Sequence, residues 1–180
     1  MASVREQVSE AAITLLGTEG LRALTHARVD AKAEVPKGSA SNYFRTRAAL
    51  LEGAVDWMLQ REVPLVAGAY SPETPDELAR TLFDLFEEMT GPGRVLTSAR
   101  LVLVMEASHN PEVRNALARA RSTTEKIVIP AVERMGASDP ELAMLTISAA
   151  FEGLFLQRLA RGAEFDARPV LDRLVHAVVG

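Results

Sequence analysis

Residues 36–44, Pro36-Lys37-Gly38-Ser39-Ala40-Ser41-Asn42-Tyr43-Phe44, interrupt a chain otherwise rich in alanine and leucine at helical spacing. If the stretch is helical, Ala40 and Phe44 stand four apart and face inward with Val35, leaving Lys37, Ser39, Ser41 and Asn42 outward. Gly38, Ser39 and Ser41 have little bulk, so the backbone can approach another surface closely. Hydroxyls and an amide hydrogen-bond base edges, and asparagine carries the donor–acceptor pair that matches adenine. Cations and a phenolic hydroxyl at the rim suit phosphates. A helix this short is held by its neighbours rather than by itself. The outline is that of a recognition helix lying in a DNA major groove. An exposed polar turn would use the same residue types; the surroundings favour the recognition helix.

Those surroundings are basic and helical. From residue 22 to 47 the cations Arg22, Arg28, Lys32, Lys37, Arg45 and Arg47 stand against only Asp30 and Glu34, in a chain whose net charge is −4. A basic island on an acidic body marks a polyanion-binding face. Ser3 and Glu6 have capping-box spacing ahead of Val4, Val8, Ala11/Ala12 and Leu15, which predicts a first helix ended by Gly17 and Gly20. Thr25 is placed to cap a short helix through about Ala33. A fourth helix is expected from about Thr46 to Val63, stopped by Pro64.

Further starts are Thr74-Pro75-Asp76-Glu77, Asn110-Pro111-Glu112 and Asp139-Pro140-Glu141, each a capping residue followed by a first-turn proline. Gly91-Pro92-Gly93 separates the helix after Pro75 from one running to about Ser108, and Pro130 is expected to kink the helix from Pro111 without ending it. No segment alternates between turn signals as a strand would. The fold class is therefore all-α, with about nine helices.

Composition bounds the rest. At 180 residues and 48% hydrophobic content the chain suits one compact domain or a small module with a sizeable core. Without cysteine it has neither disulfides nor thiolate metal sites, which fits a cytoplasmic location. The charged N-terminus is unlike a signal peptide, and no run of about 18 apolar residues predicts a membrane span. His26, His109 and His176 are scattered, which argues against a metal site, and no cofactor is expected.

Residues 3–63, about a third of the chain, resemble the N-terminal domain of the TetR family of transcriptional regulators. The resemblance is carried by the run 20–55, GLRALTHARVDAKAEVPKGSASNYFRTRAALLEGAV. It shows a Gly-hydrophobic turn, a capping threonine, a short helix, a turn with valine, a Gly-Ser recognition helix closed by phenylalanine, and a helix opening with basic residues and Leu-Leu. The resemblance implies a helix-turn-helix domain at 1–47, with the fourth helix connecting it to a regulatory, ligand-binding and dimerisation domain at 48–180. It implies that Thr25 holds a phosphate, that Lys37, Gly38, Ser39, Ser41 and Asn42 face bases and adjacent backbone, and that Tyr43 and Arg47 clamp phosphates. Three positions depart from the family pattern. Glu34 stands where a turn glycine is usual, Ser41 where tyrosine is common, and Asp30 where a small residue is usual, bringing an anion near the DNA-side helices.

The helix from Asp139 to Arg161 is apolar nearly all round. Met144, Ile147, Phe151, Leu154, Phe155 and Leu159 form one stripe, and Leu142, Leu145, Ala149, Gly153 and Leu156 another, so it needs burial on both sides. A second subunit is the expected partner on one side, with Phe151, Leu154, Phe155, Arg158, Leu174 and Val175 at the contact. Such a homodimer presents two recognition helices to a palindromic operator in double-stranded DNA. The resemblance further implies an unknown small-molecule ligand whose binding releases DNA. Trp57, Phe86, Met89, Arg100, Met105 and His109 are the candidates to hold it, with Glu106 one turn from His109 and placed to pair with it. Aromatic and methionine stripes of this kind also serve as plain core. The competing function is a helical small-molecule-binding protein or enzyme without DNA binding, but the chain has no nucleophile elbow, P-loop or dinucleotide fingerprint.

Overall fold

A computed structural model of the chain describes residues 3–179. Met1, Ala2 and Gly180, where the two expected domains begin and end, lie outside the described residues. Among the described residues there are nine α-helices and no strand: α1 Val4–Glu19, α2 His26–Lys32, α3 Ser39–Tyr43, α4 Arg47–Ala69, α5 Pro75–Thr90, α6 Arg94–Glu106, α7 Pro111–Arg134, α8 Pro140–Phe155 and α9 Arg168–Val179. A 3₁₀ turn, Leu21–Ala23, precedes α2, and a π-helical turn, Leu156–Ala160, extends α8.

The helix starts follow the capping residues. Ser3 Oγ accepts from the Glu6 N–H at 3.3 Å while Glu6 Oε2 accepts from the Ser3 N–H at 2.7 Å, closing the capping box. Thr25, Thr74 and Asp139 cap α2, α5 and α8 through the N–H groups of Arg28, Glu77 and Leu142. Asn110 Oδ1 accepts from Glu112 and Val113 at the start of α7. Pro64 does not stop α4, which continues to Ala69, as α7 continues through Pro130 to Arg134. An interior proline removes its own N–H bond and crowds the carbonyl four residues back. For Pro64 that residue is Gln60, which is exposed, so water can serve its carbonyl.

The chain forms two compact units, one of residues 1–61 with 94–120 and one of 62–93 with 121–180. In the first, α1 packs along α6, and Val8, Ala12 and Leu16 of α1 join Leu24, Val29, Ala40, Phe44, Leu50, Leu51, Met58 and Leu103 in one core. Each valine, leucine, methionine or phenylalanine among them contributes about 1.5–3 kcal/mol on burial, which is what holds the two short helices α2 and α3 in place.

In the second unit α5 packs on α9 and α8. Leu78, Leu82, Phe86, Ile147, Leu171 and Val175 are among its most deeply buried side chains. Phe86 stacks on Phe155, centroids 5.9 Å apart, and Phe151 meets both rings edge-on. The first apolar stripe of α8 is thus inside this unit. The second is outside: Leu142 is 56% exposed, Leu145 48% and Leu156 43%. By length and composition Pro140–Ala160 is apolar enough to cross a membrane, but its apolarity has this two-sided pattern, one stripe in the unit's core and one unpartnered.

Candidate nucleic-acid interface

The turn joining α2 to α3 is a Schellman motif. The Val35 N–H bonds the Asp30 carbonyl at 3.1 Å and the Glu34 N–H bonds the Ala31 carbonyl at 3.4 Å. This geometry requires a left-handed residue at the position of Glu34, and its φ is indeed 54°, among the described residues the one non-glycine with positive φ. Forcing a side chain there costs about 1 kcal/mol relative to glycine. Gly38, at φ 91°, then turns the chain into α3.

Asp30, the anion expected near the DNA-side helices, lies between α2 and α3 and is not a surface charge. Its side chain is buried, and its two carboxylate oxygens accept from the N–H groups of Gly38 and Ala40, both at 2.7 Å. Gly38, at the N-cap position of α3, has no side chain to offer, so a residue of α2 caps the helix instead. The same residue holds the turn with its backbone and the next helix with its side chain. At the other end of α3, Phe44 is buried, its N–H bonds the Ala40 carbonyl at 2.8 Å, and its own carbonyl accepts from His26 Nε2 at 2.6 Å. The Arg5 guanidinium lies 5.7 Å from the Phe44 ring centroid.

Held at both ends, α3 turns its polar residues out. Lys37, Ser41, Asn42 and Tyr43 are exposed and Ser39 is half-buried, while Ala40 faces the core. Ser39 and Ser41 donate their hydroxyls to the Pro36 and Gly38 carbonyls, which leaves their oxygens as acceptors on the outer face. Thr25 is exposed at the start of α2, its oxygen engaged by the Arg28 N–H at 3.3 Å. Arg47 donates from Nη2 to the Leu21 carbonyl at 3.0 Å, tying the start of α4 to the 3₁₀ turn. Arg28 is paired with Glu19. Lys37, Asn42 and Tyr43 extend from this face into solvent.

The six residues expected at a ligand do not come together in one unit. Trp57, Arg100, Met105 and His109 belong to the first, Phe86 and Met89 to the second. Phe86 and Met89 are buried in their unit's core, and Trp57 is half-buried with the Arg61 guanidinium 4.7 Å from its ring. Met105 is 70% exposed and His109 is exposed. The Glu106 carboxylate accepts from Asn110 Nδ2 at 3.3 Å rather than from the His109 ring, while its backbone carbonyl takes the His109 N–H at 3.0 Å. The second unit carries an open groove of about 260 Å³ lined by Leu65, Gly68, Ala69, Thr81, Asp84, Leu85 and Glu88, none of them an expected ligand residue. Among the described residues no three His, Asp or Glu side chains gather as a metal site would need.

Of the residues expected between subunits, Phe151, Leu154, Phe155 and Val175 are instead buried within the chain's own second unit. Arg158 lies 5.0 Å from the Phe86 centroid and 4.9 Å from that of Phe165, and donates to the Phe165 carbonyl at 2.8 Å. Leu174 is half-buried.

A family profile described as the tetracyclin repressor-like, C-terminal domain matches residues 73–180. The chain belongs to the TetR family. No curated protein sequence matches it. Among solved structures it is similar to the multidrug binding protein EbrR complexed with ethidium, at 26% identity and TM-score 0.76, over 96% of this chain and 98% of that one. A TetR-family member from Streptomyces coelicolor A3 is 26% identical with TM-score 0.77, again over 96% of this chain and 98% of the other. A regulator of the family from Rhodococcus sp. shares the fold over the full length of both chains, with TM-score 0.83 at 22% identity. The profile lies outside the run that carries the N-terminal resemblance, so the two parts of the chain point to one family independently.

Proposed function

We propose that the protein is a dimeric, cytoplasmic transcriptional repressor that reads a palindromic operator through α3, acts without catalysis, and is released from DNA by a small molecule. The observation that carries this reading is the capped, inward-anchored α3 with Lys37, Asn42 and Tyr43 exposed beside a basic island. A helix of five residues so firmly held at both ends, with an outer face of small and polar groups, is built to present that face. The functional division then runs as the sequence suggests, reading head at 1–47 and regulatory part at 48–180.

The dimer contact follows from the unpartnered stripe of α8, Leu142, Leu145, Ala149, Gly153 and Leu156, with Val170 and Leu174 of α9. These apolar residues are exposed or half-buried, whereas the opposite stripe is already in the core. Ala149 and Gly153 are small, and a methyl at Gly153 would meet nothing within 4 Å in the single chain, which leaves room for a helix of a second copy. For the ligand, the complex of EbrR makes ethidium the first compound to try. It is titrated into the DNA-free protein, because ethidium itself intercalates in duplex DNA.

The reading is tested on DNA by two substitutions. Asn42→Ala should lower discrimination at one base pair per half-site by about 1–3 kcal/mol. Arg47→Ala should weaken all sequences alike and flatten the dependence of affinity on salt, because it removes a phosphate contact. Wild-type behaviour of both variants in fluorescence anisotropy at several salt concentrations would remove α3 from the interface.

A further inference from the structure

We infer that Asp30, which faces away from the outer surface of α3, is the positioning residue on which operator discrimination depends. The inference rests on the DNA-reading role proposed for α3 and deepens it. Three observations carry it. Asp30 as a whole is 4% exposed, so its carboxylate is not a surface charge available to repel phosphates. Its two oxygens take the N–H groups of Gly38 and Ala40, the first donors of a five-residue helix that has no cap of its own. Its backbone carbonyl closes the Schellman turn that aims the chain into that helix. An acceptor with two free oxygens is needed for this. Asparagine offers one oxygen and turns an N–H₂ group toward the other backbone donor, so one N–H is left buried without a partner.

Asp30 and Glu34 give a matched pair of charge changes. Asp30→Asn and Glu34→Gln each remove one negative charge from the DNA-side turn, but Glu34 is exposed and holds nothing with its side chain in the turn geometry. If charge alone mattered, both variants would bind every duplex more tightly, to a similar degree. On the positioning account they separate. Glu34→Gln should bind operator and scrambled duplex slightly more tightly. Asp30→Asn should bind the scrambled duplex as well as wild type or better, and the operator about tenfold or more weakly, the cost of one unsatisfied buried donor.

The experiment measures both variants and wild type by anisotropy on the operator selected by the wild-type protein and on a scrambled duplex. Amide hydrogen exchange of the DNA-free proteins runs in parallel. The expected result is the split in DNA binding, with exchange accelerated at residues 38–44 of Asp30→Asn while α1 and α4 keep their protection. Identical DNA behaviour of the two variants, with residues 38–44 still protected, would overturn the inference. Loss of protection throughout α1 and α4 would also overturn it, by making Asp30 a general core residue. If wild type selects no operator, the DNA-reading role falls, while the exchange data still decide whether Asp30 holds α3.

Discussion

Gly53 of α4 decides where Phe44, and with it the end of α3, can sit. A methyl added at Gly53 would lie 2.6 Å from Phe44 Cζ and 3.0 Å from Cδ1, and closer still to Cε1. The ring cannot retreat easily: Phe44 is buried, its carbonyl is bonded by His26 and its N–H closes the last turn of α3. Overpacking a core in this way costs about 1–3 kcal/mol. Alanine in a helix interior returns about 1 kcal/mol relative to glycine, so Gly53→Ala should destabilise by up to about 2 kcal/mol net. Gly68 is the control on the same helix, since a methyl there meets nothing within 4 Å and Gly68→Ala should be neutral or stabilising by up to about 1 kcal/mol. Chemical denaturation of both variants measures the two signs. A smaller ring-side residue should rescue the first: Gly53→Ala with Phe44→Leu should show a favourable coupling of about 0.5–3 kcal/mol in a double-mutant cycle. A Gly53→Ala protein as stable as the Gly68→Ala protein, with no coupling to position 44, would refute the packing argument.

Other consequences are as direct. Glu34→Gly relieves a side chain held at φ 54° and should stabilise the protein by about 1 kcal/mol, raising Tm by about 2–4 °C in a calorimetric scan. No change in Tm would mean that the strain is relaxed in solution. Leu145→Glu should yield a monomer of unchanged helicity in analytical ultracentrifugation, because Leu145 faces out of its unit, whereas Phe155→Ala should cost about 3–5 kcal/mol of stability. A dimeric Leu145→Glu protein would place the subunit contact elsewhere. His176 is bonded by the Asp172 carbonyl at 2.9 Å and by Asp76 Oδ1 at 3.0 Å, and these contacts raise its pKa against the opposing effect of partial burial. The folded form thus favours the charged ring; its contribution is complete below about pH 6.5 and fades as pH rises through the folded pKa. His176→Gln should therefore lower Tm more in acid than in alkali, and a pH-independent difference would contradict the assignment.

Helix starts were legible because caps are local: a serine, threonine, asparagine or aspartate acts on N–H groups two or three residues on. The inward and outward faces of α3 were legible for a similar reason, since four-residue spacing of Ala40 and Phe44 sets the phase of the whole segment. Pro64 misled because the sequence does not show that Gln60, four residues back, is exposed. The capping role of Asp30 was not legible because its bonds reach eight and ten residues ahead, across a turn whose direction depends on Glu34. No local pattern announces such a cap. The two stripes of α8 were both visible, but both are apolar, so periodicity alone could not say which one faces the chain's own core. The aromatic cluster of Phe86, Phe151, Phe155 and Phe165 settles it through contacts between residues up to about 80 positions apart in sequence.

The central claim is that α3 reads DNA, and selection from random duplex DNA by the purified protein, at two salt concentrations, tests it most directly. The account predicts enrichment of a palindrome whose half-sites are spaced by a whole helical turn or a multiple of it, with affinity that falls steeply as salt rises. Absence of any enriched sequence at either concentration, together with salt-independent affinity, would contradict it.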